Sequence, residues 1–209
     1  MGLLALCVLL QAAVPVPDAG ALAGYYNGSQ AELAAELLLH PDGRFEYGLA
    51  YGALDEVAAG RWTVVDGAVA LDSDPVRAPA YSFTDLGPEP AGLVAARLIV
   101  PQGMEPQYFS FVLVGDGMAP IERQVGQGGD TEIAYDPAHP PRGIHVILPV
   151  YDLASKEFPI DLKAGGRRIE VRFTPNDLGR VAFDDTRLGI AEDGLHFERF
   201  GREIIFRKR

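Results

Sequence analysis

Histidines, short runs of carboxylates and a row of aromatic residues are the side chains in this sequence with chemistry to offer. The four histidines, His40, His139, His145 and His196, include no pair at the i,i+2 or i,i+4 spacing of a zinc site. The single cysteine, Cys7, lies in an apolar run at the N-terminus and adds no ligand. No metal site is expected, and the histidines read as structural or solvated. Gly-x-Ser-x-Gly, Ser-x-x-Lys and the phosphate-cradling Gly-x-x-x-x-Gly-Lys do not occur, so no catalytic residue is assigned. Gly126-Gln127-Gly128-Gly129 is glycine-rich, but no helix follows to supply a positive dipole end. Asp55-Glu56, Asp72-Ser73-Asp74 and Asp184-Asp185 place acids side by side along the chain. Paired acid–base work needs two carboxylates facing across a cleft with separated pKa values, which neighbours on one strand do not supply by themselves. Asp72 and Asp74 would share a strand face that could help hold calcium, yet the EF-hand spacing is missing and solvated turn acids are the plainer reading.

The aromatic row is the most suggestive feature. Phe45, Tyr47, Leu49 and Tyr51 alternate with Arg44, Glu46, Gly48 and Ala50, the period of a half-buried strand, and Trp62 lies on the strand that follows. Burial of each ring is worth roughly 1.5–3 kcal/mol. If the sheet closes around them, they form either a filled barrel core or the lining of a small ligand pocket. In the second case Tyr47, Tyr51 and Trp62 line the pocket, and Asp55 and Glu56 form its polar mouth.

The elements that position these residues are legible from their turns. His40-Pro41-Asp42-Gly43 is a hairpin turn: Pro41 presets φ, and Gly43 takes the positive φ that closes it. Gly60 to Val65 is the next strand, Asp66-Gly67 a two-residue hairpin turn, and Ala68 to Leu71 the strand after it. Residues 29–40 fit a capped helix as well as a strand, and the hairpin chemistry that follows favours strand. Prolines at 75, 79, 88 and 90 mark residues 72–90 as a linker, with Tyr81-Ser82-Phe83 a short edge strand within it. Beyond it, seven strand candidates follow: Leu98–Val100, Tyr108–Val114, Ile144–Val150, Arg168–Phe173, Val181–Phe183, Leu195–Phe200 and Glu203–Phe206. The expectation is therefore an all-β chain: a lipocalin-like antiparallel meander or small barrel over 24–90, then a seven-stranded antiparallel β-sandwich over 91–209.

Composition bounds the setting. The 24 glycines and 16 prolines, about 19% of 209 residues, exceed the usual share of ~12% and fall between short apolar runs, as many turns require. The formal charge is −11. From Gly24 to Pro141 there are 5 arginines against 17 acids, a surface that repels phosphate backbones, so no nucleic-acid partner is expected. Leu3 to Leu10 is too short to span a bilayer, and Ala19-Gly20-Ala21 and Ala21-Leu22-Ala23 offer small-x-small cleavage sites. Residues 1–23 thus read as a signal peptide, although the start carries no Lys or Arg, and no other run is long enough to span a membrane. With Cys7 removed, the exported chain would hold together by its core, without disulfides. Arginine outnumbers lysine 15 to 3 and alanine is abundant, a bacterial flavour.

The pattern Leu37-x-Leu39-x-Pro41-Asp42-Gly43-x-Phe45-x-Tyr47, then Gly60-x-Trp62, then Val69-x-Leu71, resembles lipocalin-like modules of exported bacterial proteins such as the NlpE-type N-terminal domain. The likeness covers residues 36–71 and implies a fold. That family's Cys-x-x-Cys and lipidated cysteine have no counterpart here, so neither copper handling nor membrane anchoring carries over. The later part is loosely similar to transthyretin-like and carboxypeptidase-regulatory-like sandwiches. The function expected is a periplasmic or secreted, non-catalytic binding protein of the bacterial envelope. Its partner would be a small apolar ligand or another envelope protein, and no cofactor is implied. The alternatives are a carboxylate-dependent hydrolase using Asp55 or Glu56 and a structural or interaction module acting through a sheet edge. Oligomeric state is left open.

Overall fold

A computed structural model describes residues 18–209. The chain is all-β apart from single turns of helix, and it divides into two compact units. One holds the described residues up to Leu49, Val57–Asp74 and Ala182–Arg209; the other holds Ala50–Glu56 and Pro75–Val181.

The first unit opens with a four-residue helix, α1 (Ala19–Leu22), then strands β1 (Gly24–Asn27), β2 (Leu33–Leu39), β3 (Arg44–Tyr51), β4 (Leu54–Val65) and β5 (Ala68–Ser73). The turns form as their residues dictate. Gly43 has φ 82°, and Asp66 and Gly67 have φ 52° and 76°, the paired positive values of a tight hairpin. Residues 33–39 are strand, with alternate side chains buried. The chain then leaves for the second unit and returns with β15 (Thr186–Ala191), β16 (Gly194–Arg199) and β17 (Arg202–Lys208), after nine intervening strands described below. The result is a closed barrel of eight strands in the order β1-β17-β16-β15-β5-β4-β3-β2. Closure joins the first and last described strands, Tyr26 pairing with Lys208, and joins β5 to β15 across the excursion, Leu71 pairing with Thr186.

This corrects the expected domain plan. A barrel over 24–90 followed by a sandwich over 91–209 is replaced by a barrel built from both ends of the chain, with the sandwich in the middle of the sequence. The candidates Leu195–Phe200 and Glu203–Phe206 are strands, but barrel strands. Val181–Phe183 is irregular: Phe183 exchanges backbone and hydroxyl hydrogen bonds with Ser73 (2.9 and 3.0 Å) outside any ladder.

The second unit contains β6 (Ala80–Glu89), β7 (Leu93–Ile99), β8 (Ser110–Val114), β9 (Ile121–Gln124), β10 (Asp130–Ala134), β11 (Gly143–Leu148), β12 (Leu153–Ala154), β13 (Phe158–Pro159) and β14 (Gly166–Thr174). One sheet runs β10-β7-β14-β6; the other runs β12-β11-β8-β9, with β13 also on β11. Val94, Leu98, Ile133, Ile169 and Val171 from the first sheet and Phe111, Leu113, Ile144 and Val146 from the second share one core, which makes the unit a sandwich. Not all of it is antiparallel, because β14 pairs with β7 in parallel. The stretch read as a proline-rich linker contains β6, a ten-residue strand. Its prolines are tolerated because β6 is an edge: Pro88 follows an irregularity that leaves Leu86 unpaired and 53% exposed.

Residues 1–17 of the expected signal peptide lie outside the described residues. Of residues 18–23, Leu22 is buried and its carbonyl accepts the Tyr26 hydroxyl at 2.6 Å, and the Lys208 ammonium donates to the Ala21 carbonyl at 2.7 Å. Among the described residues no helix is long and apolar enough to cross a membrane.

Candidate ligand-binding site

Strand alternation decides where the expected site residues go. Phe45, Tyr47 and Leu49 on β3 and Ala58 and Trp62 on β4 point inward and are buried. Tyr47 meets Phe183, Phe197 and Phe206 edge-on, with centroids 5.1, 6.1 and 6.4 Å apart, the favoured arrangement for aromatic pairs. The Trp62 indole N–H donates to the His40 carbonyl at 3.0 Å, and the Trp62 amide donates to the Gly43 carbonyl at 2.9 Å. That ring is thereby tied to the Pro-Asp-Gly turn. The filled-core alternative is the one this geometry matches.

The remaining three residues differ: Glu56 lies on the same face of β4 as Ala58 and Trp62 and is buried, whereas Tyr51 and Asp55 are not. Tyr51, at the end of β3, is only half-buried. Asp55 and Glu56 are consecutive on β4 and so leave it from opposite faces, Asp55 exposed and Glu56 8% exposed. They do not converge as a carboxylate pair. Among the other acids, Asp74 is salt-bridged to Arg44 at 2.5 Å, and Asp72 accepts the Asp185 amide at 2.9 Å.

Two clefts open on the second unit. One, of about 430 Å³, is lined by Ala53 at the β3–β4 tip with Met104, Tyr108, Leu148, Tyr151 and Leu178. The Tyr151 hydroxyl is pushed up in pKa by burial and then by the negative charge of Asp55.

The other cleft, of about 520 Å³, is bordered by residues 78–81 and Phe83 on one side and residues 153–158 on the other. It lies where β6 ends one sheet and β12 and β13 flank β11 in the other. Tyr81 and Phe83 occupy alternate positions of β6 opposite Phe173 and Val171 of β14, which places them on the inner face. Phe83 stacks on Phe158 of β13 with centroids 5.1 Å apart and planes within 6°. Tyr81 packs on Phe173 at 5.0 Å.

The polar groups of this cleft differ in how they are engaged. Ser155 Oγ accepts the Val146 amide and donates to the Lys156 carbonyl, both at 2.9 Å. Glu157 receives Arg142 through both oxygens, at 3.1 and 3.3 Å. Two groups remain. The Tyr81 hydroxyl is buried with no hydrogen-bond partner among the described residues, and burial pushes its pKa up to about 12, so it is a neutral donor at any physiological pH. The Lys156 side chain is exposed and engages no partner among the described residues.

The sequence signal for this cleft is partial. Tyr81-Ser82-Phe83 is legible as a short edge strand, while Phe158 is a lone aromatic before a proline, outside every strand expected from the sequence. No family model matches the chain, and no curated protein and no solved structure matches it.

Proposed function

We propose that this chain is an exported, non-catalytic binding protein of the bacterial envelope, and that it takes a small apolar ligand in the cleft between β6 and residues 153–158. One observation carries this reading: an apolar cleft of about 520 Å³ bordered by a tyrosine whose hydroxyl is buried without a partner. An unsatisfied buried hydroxyl costs roughly 1–3 kcal/mol, and a ligand acceptor that reached it would recover that cost. Volumes of about 300–1,000 Å³ with apolar walls and few polar groups suit small molecules. Phe45, Tyr47 and Trp62 are buried in the barrel, and the cleft of the sandwich unit is the opening that this reading uses. Export rests on the apolar Leu3–Leu10 run and the small-x-small sites after it.

The test is native mass spectrometry of the protein purified from the periplasm of an expressing bacterium. A bound species of small mass that Tyr81→Phe weakens is expected. Protein that carries nothing, and binds none of a panel of apolar compounds, would overturn the reading.

A second reading, an interaction module, is favoured by one observation. β6 terminates its sheet, and Ala80 to Asp85 pair with β14 without interruption, so their other edge can accept an added strand. Sedimentation of the purified chain with and without envelope extract addresses it, and a larger complex is the expected outcome.

A further inference from the structure

Resting on the reading of the β6-edge cleft as a ligand site, we infer that its ligand is an apolar chain ending in a carboxylate, with the carboxylate at Lys156. Of the side-chain polar groups that border the cleft, Ser155 is used as both donor and acceptor, and Glu157 is held by Arg142. What remains is the Tyr81 hydroxyl, buried without a hydrogen-bond partner among the described residues, and the Lys156 ammonium, which can only donate. The carboxylate that lines the cleft, Glu157, already faces the Arg142 guanidinium, so the charge left there without a counter-ion among the described residues is the ammonium of Lys156. Phe83 and Phe158 supply the walls for a chain.

The net charge of −11 opposes an anion at long range. Beyond a Debye length of about 8–10 Å that field is screened, however, and the contact at the rim decides selectivity. A charge-assisted hydrogen bond from an ammonium to a carboxylate is about twice as strong as a neutral one. Lys156 is also exposed, so it can meet a headgroup that keeps part of its hydration while the tail enters between the sheets.

The experiment titrates the full chain with decanoate, decanol and decyltrimethylammonium by calorimetry, with amide NMR shifts at Phe83 and Phe158 to place the binding. Decanoate is expected to bind at least about tenfold tighter than decyltrimethylammonium. Lys156→Met should remove that preference and leave decanol unchanged. Equal binding of all three at the cleft, or a decanoate preference that survives Lys156→Met, would overturn the carboxylate assignment and leave the ligand site standing. Failure of all three to shift Phe83 or Phe158 would overturn the site itself. Tyr81→Phe is the second variant: because it keeps the ring that packs on Phe173, a folded protein with decanoate and decanol affinities both reduced is expected.

Discussion

At the level of single side chains, Tyr81 and His196 behave in opposite ways. The Tyr81 hydroxyl is buried without a partner, so deleting it should relieve the empty protein. Tyr81→Phe is expected to raise stability by about 1 kcal/mol in a urea titration, while it weakens ligand binding. A loss of stability would show that the hydroxyl is satisfied in solution. His196 is held on both ring nitrogens, by Asp193 at 2.7 Å and by Glu203 at 2.8 Å. The hydrogen bond to Asp193 and then that to Glu203 raise its pKa above 6.5, and Asp193 is lowered in return, chiefly by His196. A raised histidine stabilises fully below its ordinary value, and the contribution is lost as pH rises through the folded one. For the lowered Asp193 the contribution is present above the ordinary carboxylate value and lost as pH falls. The His196 contribution should therefore fade on the alkaline side, above about pH 6.5. Denaturant midpoints of wild type and His196→Gln should differ at pH 5.5 and converge by pH 8.5; a gap that does not change with pH would contradict this.

Strands and turns separate what could be read from the sequence and what could not. Pro41-Asp42-Gly43 and Asp66-Gly67 are local chemistry, and the hairpins follow directly. Phe45, Tyr47 and Leu49 alternate cleanly, and the structure buries all three. By contrast, β6 was hidden by its prolines, since nothing local reveals that the strand lies at an edge, where a missing N–H is tolerated. Phe183 reads as strand because its neighbours are apolar, but its ring joins the barrel aromatics and its backbone bonds to Ser73 outside any ladder. The cleft was half legible for the same reason: Tyr81-x-Phe83 shows a strand, whereas the Phe158 wall opposite is set by a distant pairing. Close approach between strands gives a further prediction. A Cβ at Gly60 would collide with the Asp72 carbonyl and lie 2.6 Å from the Ser73 Cα, whereas one at Gly48 meets nothing within 4 Å. Gly60→Ala should cost about 1–3 kcal/mol by urea unfolding, and Gly48→Ala close to nothing.

For the molecule as a whole, connectivity is the finding with the widest reach. A fragment of residues 24–90 contains only five of the eight barrel strands and cannot close. It is expected to give the circular dichroism and collapsed amide dispersion of an unfolded chain. Joining Asp74 to Ala182 through a short glycine-serine linker should instead yield a folded barrel, because the Ser73 amide already donates to the Phe183 carbonyl at 2.9 Å. A folded 24–90 fragment, or an unfolded linked barrel, would contradict the closure described above.

The same connectivity sets a clock on synthesis. The β17 strand that seals the barrel is translated after the inserted residues 75–181, so β1 to β5 must wait while these are made. At about 5–20 residues per second that interval is on the order of 5–20 s. Throughout it, β1 and β5 present bare backbone edges, the templates on which nascent chains aggregate. A holdase that shields these edges until β15 to β17 emerge is the form of assistance this topology calls for.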